Sequence, residues 1–130
     1  MSDIPKELRY TKDHEWAKTN GDVVEIGITA YAVGQLGDVT LVDLPEPGAT
    51  LTAHKRFGDI ESVKTVSELF APIGGVVVEV NQQLRDKPEL VNDGPYAAGW
   101  MLRIRPANPA ELSELMDAAQ YTAYLGTLDH

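Results

Sequence analysis

Cysteine is absent from this 130-residue chain, which excludes disulfides, thiolate nucleophiles and cysteine-based zinc sites. The three histidines, His14, His54 and His130, are far apart along the chain and show no ligand spacing, so the sequence gives little support to metal catalysis. Any sulfur chemistry that this protein takes part in must therefore come from a bound cofactor.

Basic residues are also scarce, because 11 lysines and arginines stand against 20 aspartates and glutamates, for a net charge of −9. This balance argues against nucleic acid and anionic membrane surfaces as ligands, since both require a basic face. The excess of carboxylates either keeps the protein soluble or speeds its encounter with a basic protein partner.

Long apolar runs are missing too. No stretch approaches the roughly 18 apolar residues of a membrane span. Residues 1–7 contain neither the apolar core of a signal peptide nor the pattern of an arginine-rich transit peptide. We therefore expect the protein to stay in the compartment where it is made, the cytoplasm.

Short apolar runs separated by turn signals predict a mostly β fold, a small sandwich or flattened barrel with short helices at the C-terminal end. The length predicts one domain, residues 1–130. The predicted strands cover residues 8–10, 15–18, 23–28, 39–44, 57–62, 65–70, 76–80 and 100–105.

Helices are predicted in two places. Thr29 can cap a short helix over residues 30–36 that Gly37 ends. An Asn-Pro pair followed by apolar residues at helical spacing predicts C-terminal helices over about residues 109–125. Residues 81–99 are polar and rich in turn signals, and they are predicted to form a long excursion.

The hairpin predicted over residues 57–70 has an unusual apex. Its polarity is nearly mirrored about Val63-Lys64, as expected for two paired strands around a tight turn, yet two-residue turns favour Asn, Asp or Gly. Local rules are most often broken where a residue has a functional role. Lys64 is therefore either an ordinary solvated lysine or the point where a carboxylic acid cofactor is attached to make a longer swinging arm.

From Leu8 to about Leu125 the chain resembles the glycine cleavage system H-protein family. Each motif that carries the resemblance is weak alone, but their order and spacing are specific. In chain order they are LRYTKDHEW (8–16), GIT (27–29), LGD (36–38), LPEPG (44–48), ESVK (61–64), APIGG (71–75), PELVN (88–92) and GWM (99–101).

The resemblance implies a fold of the lipoyl/biotinyl-carrier type and a lipoate cofactor in amide linkage to Lys64. In this family the lipoylating enzymes read a glutamate three residues before the lysine and a glycine eleven residues after it, here Glu61 and Gly75. Both residues could equally have ordinary roles, Glu61 as a solvated strand carboxylate and Gly75 as a turn glycine that needs positive φ.

The family function that the resemblance implies is that of a carrier and not of an enzyme. The carrier takes the aminomethyl group of glycine from glycine dehydrogenase (decarboxylating), which uses pyridoxal phosphate, to the tetrahydrofolate-dependent aminomethyltransferase. Dihydrolipoyl dehydrogenase then reoxidises the lipoyl group. The resemblance also places Glu15 and Gln35 beside a cleft that receives the loaded arm, although Glu15 could instead be an exposed strand residue.

Two other functions are considered. One is a lipoyl or biotinyl carrier, or a lipoyl relay protein, that serves another complex; the apex Val63-Lys64-Thr65 differs from the Asp-Lys-Ala of acyltransferase lipoyl domains and the Met-Lys-Met of biotinyl domains. The other is a small hydrolase that uses Asp13, His14 and a serine, but no serine has the nucleophile-elbow pattern.

Overall fold

A computed structural model describes residues 4–128, and His130 lies outside this range. Nine strands are present in these residues: β1 (Arg9–Tyr10), β2 (Glu15–Asn20), β3 (Val23–Ile28), β4 (Val39–Asp43), β5 (Thr50–Leu51), β6 (Arg56–Ser62), β7 (Val66–Phe70), β8 (Gly75–Val80) and β9 (Leu102–Pro106). The helices are α1 (Ala30–Leu36), α2 (Gln83–Asp86), α3 (Leu90–Asp93), a 3-10 helix (Pro109–Glu114) and α4 (Ala118–Leu128).

The strands form two antiparallel sheets, which confirms the mostly β prediction. One sheet has the order β1-β2-β3-β9-β8-β5 and the other has the order β4-β6-β7. Their facing side chains share one apolar cluster, in which Ile26 and Ile104 of the larger sheet are fully buried together with Ile60 and Leu69 of the smaller one. Each sheet covers the apolar face that the other would otherwise expose to water.

Helix α1 forms where the sequence predicts it, between a threonine cap and a glycine. The Thr29 hydroxyl accepts a hydrogen bond from the Ala32 N–H at 3.3 Å, and Gly37 ends the helix with a φ of +77°. Seven residues are too few for an independently stable helix, so tertiary contacts must hold it. The Tyr96 hydroxyl supplies one by accepting from the Ala30 N–H at 3.0 Å.

The C-terminal segment departs from the prediction of helices over about residues 109–125. The first helix is of the 3-10 type and ends at Glu114, and Leu115 is extended with φ −81° and ψ 161°. Met116 then exchanges two backbone hydrogen bonds with Tyr10, at 2.8 and 2.9 Å. Strand-like pairing therefore interrupts the apolar helical spacing, and α4 starts only at Ala118.

The predicted excursion over residues 81–99 contains two short helices, α2 and α3, that the sequence pattern did not indicate. The side chain of Asn81 ties the beginning of this segment to its end, because the amide nitrogen donates to the carbonyls of Ala98 and Trp100, both at 2.8 Å. None of the helices between residues 4 and 128 has the length and apolarity that a membrane crossing requires.

Candidate attachment site and adjoining cleft

The apex of the β6–β7 hairpin is a two-residue loop, Val63-Lys64, and the side chain of Ser62 closes it. The Ser62 N–H donates to the Thr65 carbonyl at 2.8 Å, while the Ser62 hydroxyl accepts from the N–H groups of Lys64 and Thr65, both at 3.2 Å. Neither Val63 nor Lys64 has positive φ. The serine hydroxyl thus gives these two residues a turn without the backbone geometry that β-branched Val63 resists.

Lys64 is exposed and takes part in no salt bridge among residues 4–128. Its stem lies over Gly37, since a Cβ built on that glycine would stand 3.2 Å from the Lys64 Cε. The structure therefore presents the Lys64 side chain at the tip of the hairpin, exposed to solvent, with its stem beside the end of α1.

A cleft of about 240 Å³ opens between α1 and the hairpin strands. Its apolar walls come from side chains of α1, β3, β6 and β7, and its polar groups come from the β1–β2 turn, the start of β2, α1 and β7. Its lining residues are Asp13, His14, Glu15, Ile28, Tyr31, Ala32, Gln35, Leu36, Ile60, Ser67, Glu68 and Leu69. The structure places Glu15 and Gln35 in the lining of one cleft, where Ser67 and Glu68, which the sequence analysis did not single out, also lie.

Glu15 is a buried carboxyl group in the cleft wall. Glu15 is only 2% exposed, which rules out the alternative that it is an exposed strand residue. Burial raises its pKa from 4.5 to about 7, although a hydrogen bond from the Thr11 hydroxyl at 2.7 Å partly opposes the shift. Near neutral pH Glu15 therefore changes charge easily, and a cation that enters the cleft would favour its ionised form.

His14 lies beside Glu15 and joins three parts of the structure. Its Nδ1 is 2.8 Å from the Tyr121 hydroxyl, which is also 2.8 Å from the hydroxyl of Thr29 at the start of α1. Burial lowers the pKa of His14 and raises that of Tyr121. A hydrolytic triad would use Nδ1 to contact its aspartate, so the bond to Tyr121 gives the hydrolase hypothesis no support.

Glu61 lies on the other side of the hairpin from the cleft. Consecutive strand residues point to opposite faces, so Ile60 lines the cleft while Glu61 lines an outer groove of about 490 Å³. In the sheet register Glu61 stands between Leu41 and Val66, which are 46% and 63% exposed. The glutamate is therefore framed by two exposed apolar side chains on the outer surface.

Gly75 is located at the start of β8 in the larger sheet, away from the strands that carry Lys64 and Glu61. A Cβ at this position would stand 2.3 Å from the Arg105 carbonyl oxygen, a contact that real side chains do not make. Close approach of two strands therefore requires glycine here. Any substitution of Gly75 disturbs the fold as well as whatever an enzyme reads there.

Comparison with known proteins agrees with this geometry. The sequence profile of the family Glycine cleavage H-protein matches residues 8–127. The chain is 55% identical over 121 residues to the glycine cleavage system H protein of Geobacillus kaustophilus, covering 93% of this chain and 95% of that protein. It is 56% identical over 117 residues to that of Bacillus licheniformis, covering 90% and 92%.

A solved structure is similar over the same length. The fold matches the crystal structure of a glycine cleavage system H protein from Mycobacterium marinum with a TM-score of 0.87 and 42% sequence identity. The match covers 95% of this chain and 99% of that one. The two sheets and the hairpin described above therefore belong to an architecture that a relative of this length also adopts.

Replacing Glu15 by glutamine should make stability less dependent on pH. The folded-state pKa of Glu15, about 7, exceeds the ordinary 4.5, so the folded protein holds this proton more tightly and loses stability as pH rises through that interval. Between about pH 5 and pH 8, the free energy of urea unfolding of the Glu15→Gln variant should rise by roughly 2 kcal/mol relative to that of the parent. A gain no larger than that of the exposed-site control Glu89→Gln would contradict this account.

Proposed function

Because the chain belongs to the glycine cleavage H-protein family and is a lipoyl carrier of the glycine cleavage system, we propose that Lys64 is the residue that bears its lipoyl group. One observation carries the proposal: the amine of Lys64 stands exposed at the tip of a hairpin whose strands also form one wall of a cleft. An arm attached there has solvent on one side and a sheltered surface on the other.

The residues of the cleft fit such a group. Ile28, Leu36 and Leu69 offer apolar surface suited to an acyl chain, and Glu15 offers a carboxyl group suited to a cationic cargo. When bound, the lipoyl group supplies a disulfide that can accept a transferred group and be regenerated by oxidation. The protein contributes the tether, the apolar walls and the polar contacts at the cleft.

In the proposed cycle this chain acts as a substrate-like carrier and not as an enzyme in its own right. It takes the aminomethyl group of glycine from glycine dehydrogenase (decarboxylating) to the aminomethyltransferase, and it visits dihydrolipoyl dehydrogenase for reoxidation. We place this activity in the cytoplasm and assign it to a single carrier domain, residues 1–130. Net charge of −9 would favour partner surfaces that are basic.

Lipoylating enzymes are proposed to read Glu61 from the outer face of the hairpin. The contacts that support this are the neighbouring exposed side chains of Leu41 and Val66, which an enzyme can cover while its own cation meets the glutamate. Gly75 would serve modification indirectly, through the close strand packing that only glycine allows.

The cleft is proposed to shelter the loaded arm from water, which would otherwise release ammonia from it. Glu15 would accept a charge-assisted hydrogen bond from the ammonium group of the cargo. Gln35 borders the same cleft and is uncharged, so its contact with the arm should vary less with pH than a histidine contact would.

Lys64→Arg should abolish lipoylation, because the guanidinium keeps the charge but offers no amine that forms a stable amide. Intact-mass spectrometry with peptide mapping should find no lipoyl group on the variant, and glycine decarboxylation with the other components should be lost. The control Lys55→Arg, another exposed lysine, should be modified at Lys64 as the parent is. Lipoylation of the Lys64→Arg chain at any other lysine would contradict the assignment of Lys64 as the attachment residue.

Glu61→Ala should fold normally and be lipoylated more slowly, by roughly tenfold, the effect of losing about 1.4 kcal/mol of enzyme contact. The rate of mass increase with purified lipoylating enzyme measures this. Glu89→Ala removes the same charge from an exposed site without a side-chain cap hydrogen bond and serves as the control. Equal rates for the two variants would remove the recognition role from Glu61.

Glu15→Ala should release ammonia from the loaded carrier faster than the parent when no transferase is present, since the cargo loses its carboxylate partner. The matched control is Glu25→Ala, which removes another shielded glutamate, 9% exposed and paired with Arg103 far from the cleft lining. Ammonia release that is no faster in Glu15→Ala than in Glu25→Ala would show that Glu15 does not hold the arm.

A further inference from the structure

The root of the proposed arm rests on a link, residues 37–39, which consists of the two residues between α1 and β4 together with Val39, the first residue of β4. The Val63 N–H, one residue before the lysine, donates to the Asp38 carbonyl at 3.0 Å. The stem of Lys64 lies over Gly37. The link therefore contacts the hairpin apex. It also follows directly after α1, the helix that forms one wall of the cleft.

Asn92, on helix α3, holds this link with both ends of its side-chain amide. Its Oδ1 accepts from the Val39 N–H at 2.8 Å, and its Nδ2 donates to the Gly37 carbonyl at 2.8 Å. These two bonds flank Asp38 on either side. They leave the Asp38 carbonyl little freedom to turn away from Val63, because this carbonyl shares one planar peptide unit with the Val39 N–H and the preceding peptide unit is anchored through the Gly37 carbonyl.

The position of Asn92 is itself well defined. Its neighbour Val91 is fully buried, and the backbone of α3 packs so closely on Gly99 that a Cβ there would stand 2.7 Å from the Leu90 carbonyl oxygen. A polar group presented from such a packed base can set the geometry of a mobile partner. An exposed four-residue helix without this packing could not do so.

We propose that Asn92 is a positioning residue for the swinging arm. By fixing the Asp38 carbonyl, it fixes the place and direction in which Lys64 leaves the hairpin relative to the α1 wall of the cleft. The inference rests on the proposed role of Lys64 as the attachment site. Asn92 itself does not line the cleft, and it acts only through the link.

The effect matters because the arm is long and flexible and its root is its only covalent attachment to the protein. A root that moves by about 1 Å misplaces groups further along the arm, and misplacement of that size can reduce rates about a hundredfold in well-organised sites. Removing the Asn92 amide would also leave the partly buried N–H of Val39 and carbonyl of Gly37 without these partners.

The test compares Asn92→Ala with Asn81→Ala. Asn81 is a second bridging asparagine, with two bonds of 2.8 Å to the carbonyls of Ala98 and Trp100 and a third of 3.3 Å from the Gln83 N–H, and it belongs neither to the link nor to the cleft lining. Because Asn81 is buried and makes one more side-chain hydrogen bond than Asn92, Asn81→Ala should lose at least as much stability as Asn92→Ala. In the unlipoylated proteins, amide hydrogen exchange at Val63 should be roughly tenfold faster in Asn92→Ala than in Asn81→Ala, the effect of about 1.4 kcal/mol of local stabilisation.

In the lipoylated proteins, ammonia release from the loaded carrier should be at least about threefold faster in Asn92→Ala than in Asn81→Ala, corresponding to about 0.7 kcal/mol. Asn92→Asp provides a milder second variant, since it keeps an acceptor for the Val39 N–H but turns an oxygen toward the Gly37 carbonyl. If Asn92→Ala does not fold, Asn92→Asp replaces it in both measurements. Amide exchange at Val63 and ammonia release should again be faster than in Asn81→Ala.

Two results overturn the inference and can be told apart. Equal Val63 exchange and equal ammonia release in the Asn92 and Asn81 variants, with the lipoyl group mapped to Lys64, would overturn the role of Asn92 alone. A parent protein whose lipoyl group maps to another lysine would overturn the proposed attachment site and this inference with it.

Discussion

The register between β6 and β7 is the constraint on which the candidate site depends. Ile60 pairs with Ser67, and the next pair outward is Glu61 with Val66, so the turn can only fall at Val63-Lys64. Burial of Ile60 and Leu69 in the core holds this register, because a slip by one residue would turn both side chains into water. Packing far from the apex thus decides that a lysine stands at the tip and that Glu61 faces outward.

The cleft beside the hairpin is maintained at some expense of stability. Glu15 is buried with its pKa raised to about 7, so its ionised form is disfavoured in the folded protein. Helix α1 has only seven residues and contains Gly34, which lowers its intrinsic stability. Side chains from distant segments compensate, since Tyr96 bonds to its first turn and Tyr121 bonds to the capping Thr29. Both features are unfavourable for folding alone and agree with the proposed role of the cleft in sheltering a charged cargo.

Much of the architecture follows from local patterns. The strands with alternating or β-branched residues, helix α1 between Thr29 and Gly37, and the hairpin around Lys64 were all predicted within a few residues. The two-residue strand β5 and the four-residue helices α2 and α3 were not, because elements this short have no periodicity to read and depend on their neighbours. The helical spacing of Leu112, Leu115 and Met116 placed all three in the first of the predicted C-terminal helices, and backbone pairing of Met116 with Tyr10 overrode it.

The same division holds for the candidate site. Spacing along the chain was enough to place Lys64 at a hairpin apex with Glu61 three residues before it, and to predict a mostly β fold. The burial of Glu15, and the two bonds of Asn92 to a link more than fifty residues away along the chain, followed only from the three-dimensional packing. The physical reason is that desolvation and long-range hydrogen bonds depend on which segments meet in space, whereas turn geometry and strand alternation depend on neighbours along the chain.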